Sequence, residues 1–149
     1  EHTRIGYNYR LSNVCAGIGR GQMLSLPSFL EKRRGIHEEY RRRLSGVPGL
    51  SLLENPDSRY HSNHWLTCVQ VNPEEARFDR ETLRLALQKA GVESRPLWKP
   101  MHLQPVFRSC PFYGSGVSDR LFEQGLCLPS GASLAGEDVD RIIDVLLNL

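Results

Sequence analysis

"GYNYRLSNVCAGIGRGQMLSL", residues 6–26, sets two demands against each other. Ser12 is a good N-cap, and Val14, Ile18 and Met23 behind it recur at helical spacing, which predicts a helix from Asn13 to about Leu24. Gly17, Gly19 and Gly21 lie inside that pattern, each costing roughly 1 kcal/mol against alanine in a helix interior. A helix carrying that burden is expected where another backbone comes very close, so residues 1–24 are read as an interface segment. Ahead of the cap stand Tyr7, Asn8, Tyr9 and Arg10. An amide and a guanidinium before a helix N-terminus suit an anion such as phosphate or carboxylate. The alternative is that both groups satisfy local backbone carbonyls.

Working outward, Pro27 fits the first turn of a second helix, whose broad apolar face of Phe29, Leu30, Ile36, Tyr40 and Leu44 is stopped by Gly46 and Pro48. "LSLLE" (50–54) and "HWLTCVQV" (64–71) read as strands, the second with Trp65, Thr67, Val69 and Val71 on one face; 55–63 is a turn-rich loop. Asp79 caps a third helix in which Leu83, Ala86, Leu87 and Ala90 recur, closed by Gly91. Pro96 restricts 92–98 to a short strand, because it cannot sit centrally in a ladder. Ser118 begins a short helix, "LCLP" (126–129) is a short buried strand, and Val139, Ile142, Ile143 and Leu146 mark a last helix with Glu137 and Asp138 at its positive end. This order implies an α+β fold, a small sheet covered by helices, with no internal repeat.

At 149 residues, 40% hydrophobic and 24% charged, the chain has the size and composition of one soluble globular domain. Its apolar runs are far shorter than the roughly 20 residues of a membrane span, and "EHTR" is no signal peptide, so a cytoplasmic, non-membrane protein is expected. A net charge of +2 argues against a nucleic-acid partner. The arginines at 33, 34, 41, 42 and 43 spread around a helix with Glu31, Glu38 and Glu39 among them, as on a solvated face. Cys15, Cys68, Cys110 and Cys127 lie far apart without zinc spacing and are expected as reduced thiols, with no metal site. The chain starts without methionine and reaches its first informative motif within six residues, as a fragment or excised domain would.

Two further clusters carry chemistry. "ESRPLWKPMHLQP" (93–105) gathers Arg95, Trp98, Lys99, His102 and Gln104 between prolines, a rigid loop able to grip a phosphorylated or planar ligand. Its bland alternative is a surface turn with Trp98 packed into the core. In "YHSNHW" (60–65), His61 or His64 has the pKa of a general base but no recognisable acid or nucleophile beside it, which favours a hydrogen-bonded structural histidine. Phosphate-loop, dinucleotide, zinc-protease and nucleophile-elbow motifs are all missing.

Taken in order, residues 6–26, "EKRRGIHEEYRRRL" (31–44), "RPLWKPMHLQPVF" (95–107) and "LCLPSGASLAGEDVDRIIDVL" (126–146) resemble the C-terminal portion of the DegT/DnrJ/EryC1/StrS sugar aminotransferases, over essentially the whole chain. The third motif is most similar to the bacillosamine-type and exopolysaccharide transaminases, which aminate UDP-linked 4-keto-6-deoxy-N-acetylhexosamines. The resemblance implies that 1–149 is the small C-terminal domain of an aminotransferase of fold type I. It further implies a homodimer using pyridoxal 5'-phosphate, with glutamate as amino donor and a UDP-linked keto-sugar as acceptor, in polysaccharide or glycan biosynthesis. In that family the Schiff-base lysine lies upstream, in the large domain. Lys32, Lys89 and Lys99 do not match its motif, so the chain alone is expected to carry no catalytic residue and to be inactive.

By the same resemblance Asn8 matches the asparagine of G-x-N-x-R, which reaches across the dimer to the coenzyme phosphate, and Arg10 matches that motif's arginine. Leu11 stands where methionine is commoner, a volume-conserving change. His102 matches the R-x-x-x-x-P-x-H loop as a nucleotide-sugar contact, with Arg95 and Lys99 expected toward the diphosphate and Trp98 toward the sugar or uracil. Two other classes stay open: a non-catalytic nucleotide-sugar-binding or interaction domain, and, more distantly, a nucleic-acid binder.

Overall fold

One helix, α1 (Asn13–Leu44), runs through both of the helices expected at the start of the chain in the computed structural model, which describes residues 3–149. Ser12 caps it as expected, its hydroxyl accepting from the Cys15 N–H at 3.2 Å. Pro27 lies inside α1 instead of opening a second helix. A mid-helix proline removes one backbone donor and presses on the carbonyl four residues back. Residues 22–33 hold good helix formers and no glycine or asparagine to make a turn, so the helix continues across the defect.

Gly46 and Gly49, at φ +79° and +74°, end the helix and turn the chain into β1 (Leu50–Leu52). The backbone of Ala76 crosses Gly49 so closely that a Cβ there would stand 2.3 Å from its nitrogen. β2 (Thr67–Val71) begins three residues later than the alternation suggested. His64 adopts a left-handed φ of +44°, which no strand accommodates. Trp65 therefore lies outside the strand and is exposed, a correction to its expected place on one strand face with Thr67, Val69 and Val71. Within β2 the pattern holds, with Thr67, Val69 and Val71 buried.

A short helix α2 (Pro73–Ala76), capped by Asn72, follows unanticipated. α3 (Arg80–Lys89) is capped by Asp79, which accepts from the Thr82 N–H at 2.7 Å. Proline confines β3 to Arg95–Pro96. Two 3₁₀ turns (Met101–Leu103 and Pro105–Phe107) occupy the expected loop, and α4 (Val117–Gln124), β4 (Gly125–Leu128) and α5 (Gly136–Leu147) complete the chain.

The sheet is antiparallel throughout, in the order β1-β2-β4-β3. One face meets α1, α3 and α5 through Tyr40, Leu44, Val69, Val71, Leu83, Leu87, Leu126, Leu128, Ile142, Ile143 and Leu146. Each fully buried aliphatic side chain there contributes about 1.5–3 kcal/mol. The Tyr40 hydroxyl donates to the Pro129 carbonyl at 3.0 Å, and burial pushes its ionisation well above the usual phenol range. The α+β reading, a small sheet covered by helices, holds. Among the described residues no helix is long and apolar enough to cross a membrane.

The arginine cluster is also as read. Arg41 and Arg42 pair with Glu38 and Glu39 one turn back, and Arg43 reaches Asp140 and Asp144 on α5. Arg33 and Arg34 donate to the carbonyls of Trp65 and Ser62. Such pairing leaves little free positive surface on the second half of α1 for a phosphate backbone.

Candidate functional site

The arm 3–11 and the first half of α1 carry the first candidate residues, and almost nothing among the described residues covers them. α1 contributes to the core only from Ile36 onward. Before that, Ile5, Tyr7, Tyr9, Leu11, Val14, Ile18, Met23 and Leu24 are exposed, Ile5 and Tyr9 by more than nine-tenths. Nothing stands within 4 Å of where a Cβ would lie at Gly17, Gly19 or Gly21. The close backbone neighbour that these glycines implied is not found among the described residues.

In the arm the Asn8 side-chain carbonyl accepts from the Arg10 N–H at 3.1 Å. This local turn partly meets the bland alternative, since the asparagine does satisfy backbone. It also fixes the amide group and leaves its NH2 end as a donor. The Arg10 guanidinium has no hydrogen-bond or ion-pair partner among the described residues.

Residues 91–96 and Trp98 line a cavity of about 680 Å³ together with Trp65, Leu66, Cys127, Leu128 and part of α5. Arg95 and Trp98 both face it, and the indoles of Trp98 and Trp65 tilt toward each other with centroids 6.1 Å apart. Trp98 is 66% exposed, so the core-packed alternative for it fails. Ser94 adds a buried hydroxyl without a partner. The Arg95 guanidinium is held by Glu93 at 2.6 and 2.8 Å, so its charge is already half answered before any diphosphate arrives.

Lys99 and His102, expected alongside, do not line this cavity. Lys99 is exposed, its carbonyl accepting from Gln104 at 3.3 Å. The His102 Nε2 lies 2.7 Å from the Asp119 carboxylate in the first turn of α4, and its ring stacks on Phe112 with centroids 3.7 Å apart. A carboxylate acceptor fixes the Nε2–H tautomer and leaves Nδ1 to address a ligand. Sequence spacing gave no signal for Asp119 or Phe112, because both meet His102 only through the fold. The same is true of Trp65 beside Trp98.

The only hydrogen bond of His64 among the described residues is from its backbone N–H to Ser62, and its ring is held by stacking instead of the side-chain hydrogen bond expected of it. Its ring stacks on His37 with centroids 3.7 Å apart, while His37 itself contacts Thr67 Oγ1 at 3.3 Å and Glu54 at 3.4 Å. Burial and the neighbouring His37 hold the His64 pKa below its ordinary value. His61 is exposed. The four cysteines are unpaired thiols, although Cys68 and Cys127 stand 3.8 Å apart across the sheet.

The model of the DegT/DnrJ/EryC1/StrS aminotransferase family matches residues 1–147. EpsN of Bacillus subtilis (strain 168) is 37% identical over 153 residues, which cover 100% of this chain and 38% of that protein. GDP-perosamine synthase of Vibrio cholerae is 30% identical over 99% of this chain and 40% of its own length. The solved structure of DesV of S. venezuelae, in complex with a ketimine intermediate, is similar with a TM-score of 0.83 at 28% identity, over 99% of this chain and 39% of that one. The chain thus spans about two fifths of the length of the proteins it matches.

Proposed function

The chain belongs to the DegT/DnrJ/EryC1/StrS aminotransferase family, and from that membership we propose that it is the C-terminal, ligand-gripping part of a pyridoxal phosphate-dependent nucleotide-sugar aminotransferase. The acceptor is the keto carbon of a UDP-linked 4-keto-6-deoxy sugar, the donor is glutamate, and the working unit is a homodimer. One observation carries the reading: the G-x-N-x-R arm and the glycine-rich half of α1 stand free of the domain's own core, with apolar side chains that only another domain or subunit can bury. The names of the relatives agree with the class of reaction. EpsN bears the words pyridoxal phosphate-dependent aminotransferase in its name. GDP-perosamine synthase is named for a GDP-linked sugar, so the choice of UDP rests on the 95–107 motif alone.

The residues present fit the coenzyme's phosphate. Asn8 offers an amide N–H2 in an arm fixed by its own turn, and Arg10 a guanidinium two residues on. A phosphate is recognised by such charged and neutral N–H donors. When bound, pyridoxal phosphate supplies the electron sink for moving an amino group, while the protein supplies grip and orientation. Asn8 and Arg10 hold anionic groups from the side of the arm. His102, fixed by Asp119 and Phe112, presents Nδ1 to the nucleotide sugar, and Trp98 with Trp65 forms an apolar wall for its sugar or base. Arg95, after releasing Glu93, is the cation of this loop that lines the cavity and could meet a diphosphate there, with Lys99 further along the same loop outside the lining.

The test uses the parent protein, in which the chain follows an upstream lysine-bearing domain. It should convert a UDP-linked 4-keto sugar with glutamate, and Asn8→Ala should weaken coenzyme retention about 10- to 100-fold, the loss of a hydrogen bond to a charged group. A parent that binds the nucleotide sugar but neither retains the coenzyme nor aminates would establish instead the non-catalytic binding domain.

A further inference from the structure

We infer that Cys68 and Cys127 form a disulfide site: with a small-molecule disulfide as oxidant, the two thiols close into a bond that ties β2 to β4 beside the tryptophan-lined cavity. The two residues are directly paired in the antiparallel register of these strands. The direction of their backbone groups sets how close they come. The Leu53 N–H donates to the Cys68 carbonyl, so the polar groups of Cys68 point outward to β1. The Leu97 N–H donates to the Gly125 carbonyl, so Gly125 and, two residues on, Cys127 point theirs toward β3. The pair is therefore of the non-hydrogen-bonded kind, in which opposed Cα atoms are about 4.5 Å apart and side chains approach most closely. That separation lies within the roughly 4.4–6.8 Å that a disulfide requires. The sulfurs already stand 3.8 Å apart, and side-chain rotation brings them to bonding distance.

The pair also has an attacking sulfur and an entrance. The two sulfurs are close enough for the thiol of one to steady the thiolate of the other; this contact holds the Cys127 pKa below its ordinary value, and the same contact, with burial, raises that of Cys68. Cys127 lines the cavity between β3 and α5, and Cys68 is partly exposed. In the first step the Cys127 thiolate attacks one sulfur of oxidised glutathione, forming a mixed disulfide and expelling one glutathione thiolate. In the second, Cys68 loses its proton and attacks the Cys127 sulfur, expelling the other. The protein gives up two electrons and two protons, and one oxidised glutathione becomes two reduced ones.

The experiment equilibrates the folded protein with oxidised glutathione, blocks remaining thiols with iodoacetamide after denaturation, and maps its peptides by mass spectrometry. Cys15 and Cys110, both exposed, are removed as C15S/C110S so that they do not compete. The expected result is a linked peptide pair holding Cys68 and Cys127, lighter by two hydrogen atoms and restored by dithiothreitol. Cys68→Ser should stop the reaction at a glutathione adduct on Cys127. Cys68 and Cys127 both recovered as alkylated thiols, or a glutathione adduct that persists in the presence of both cysteines, would overturn the inference. The unsubstituted protein gives the same readout if a serine variant folds poorly.

Discussion

Substituting Gly17 and Gly21 together by alanine should act in opposite directions on the chain alone and on the assembled protein. The two positions are one turn apart and share a helix face with Val14 and Leu24, both exposed. In the chain alone, no atom lies within 4 Å of either new methyl group. Only helix propensity then changes, by about 1 kcal/mol per site, or about 2 kcal/mol for the pair. The core begins at Ile36, so the gain belongs to the local fraying of the first half of α1 and not to global unfolding. It should be read as a rise in far-ultraviolet helicity and in amide protection over residues 13–29. In the homodimer proposed above the same methyls would enter a packed contact, where overpacking costs about 1–3 kcal/mol per site. Dimer dissociation, followed by analytical ultracentrifugation, should strengthen at least tenfold. Gly19 points away from this face, so Gly19→Ala should show the helix gain with a smaller effect on assembly. An assembled protein whose dissociation is unchanged by G17A/G21A would refute the argument that these glycines are spent on close approach between subunits.

Two further expectations concern the folded domain itself. Gly125 has ordinary extended dihedrals, but a Cβ there would lie 2.1 Å from Leu97 Cδ1 and 2.4 Å from the Leu121 carbonyl oxygen, which as backbone cannot swing aside; Gly125→Ala should cost about 1–3 kcal/mol and lower Tm by roughly 3–10 °C, and an unchanged thermal midpoint would contradict this packing. His64, held neutral by burial and by His37, with Arg34 also opposing its charge and Glu54 favouring it, has a folded pKa below the unfolded value. The unfolded chain thus binds the extra proton, and this part of the stability is full above about pH 6.5 and declines as pH falls toward the folded pKa. Urea unfolding from about pH 7.5 to about pH 5 should show that decline, and His64→Asn, which tolerates the positive φ, should flatten it; stability that rises on acidification in the unsubstituted chain would sink the assignment.

The elements legible in the sequence were those whose signal is local. The Asp79 cap, the Thr67, Val69 and Val71 alternation, the edge position of Pro96 and the stripe of α5 all depend on neighbours within a turn or a strand. Pro27 misled because proline is a local signal that the surrounding helix overrides. Trp65 misled because an alternation reads straight through His64, which combines a left-handed backbone with a ring stacked on His37, 27 positions earlier. The candidate site divides in the same way. Arg95 and Trp98 were found through composition of one loop, whereas Asp119, Phe112 and the Cys68–Cys127 pairing arise from register and packing between distant segments.

Asn8 and Arg10 bury nothing and hold only each other, so replacing them leaves the sheet and its three covering helices intact. His102 is different: its ring joins the 3₁₀ turn to α4 through Asp119 and to the 110–116 loop through Phe112, so His102→Ala disturbs local order as well as any ligand contact. A ligand role for His102 is therefore best separated from a packing role through Asp119→Asn. That change preserves shape and keeps an acceptor for the ring but removes the anion that orients it, so a ligand contact through Nδ1 would show it as weakened nucleotide-sugar binding in a protein that keeps its fold.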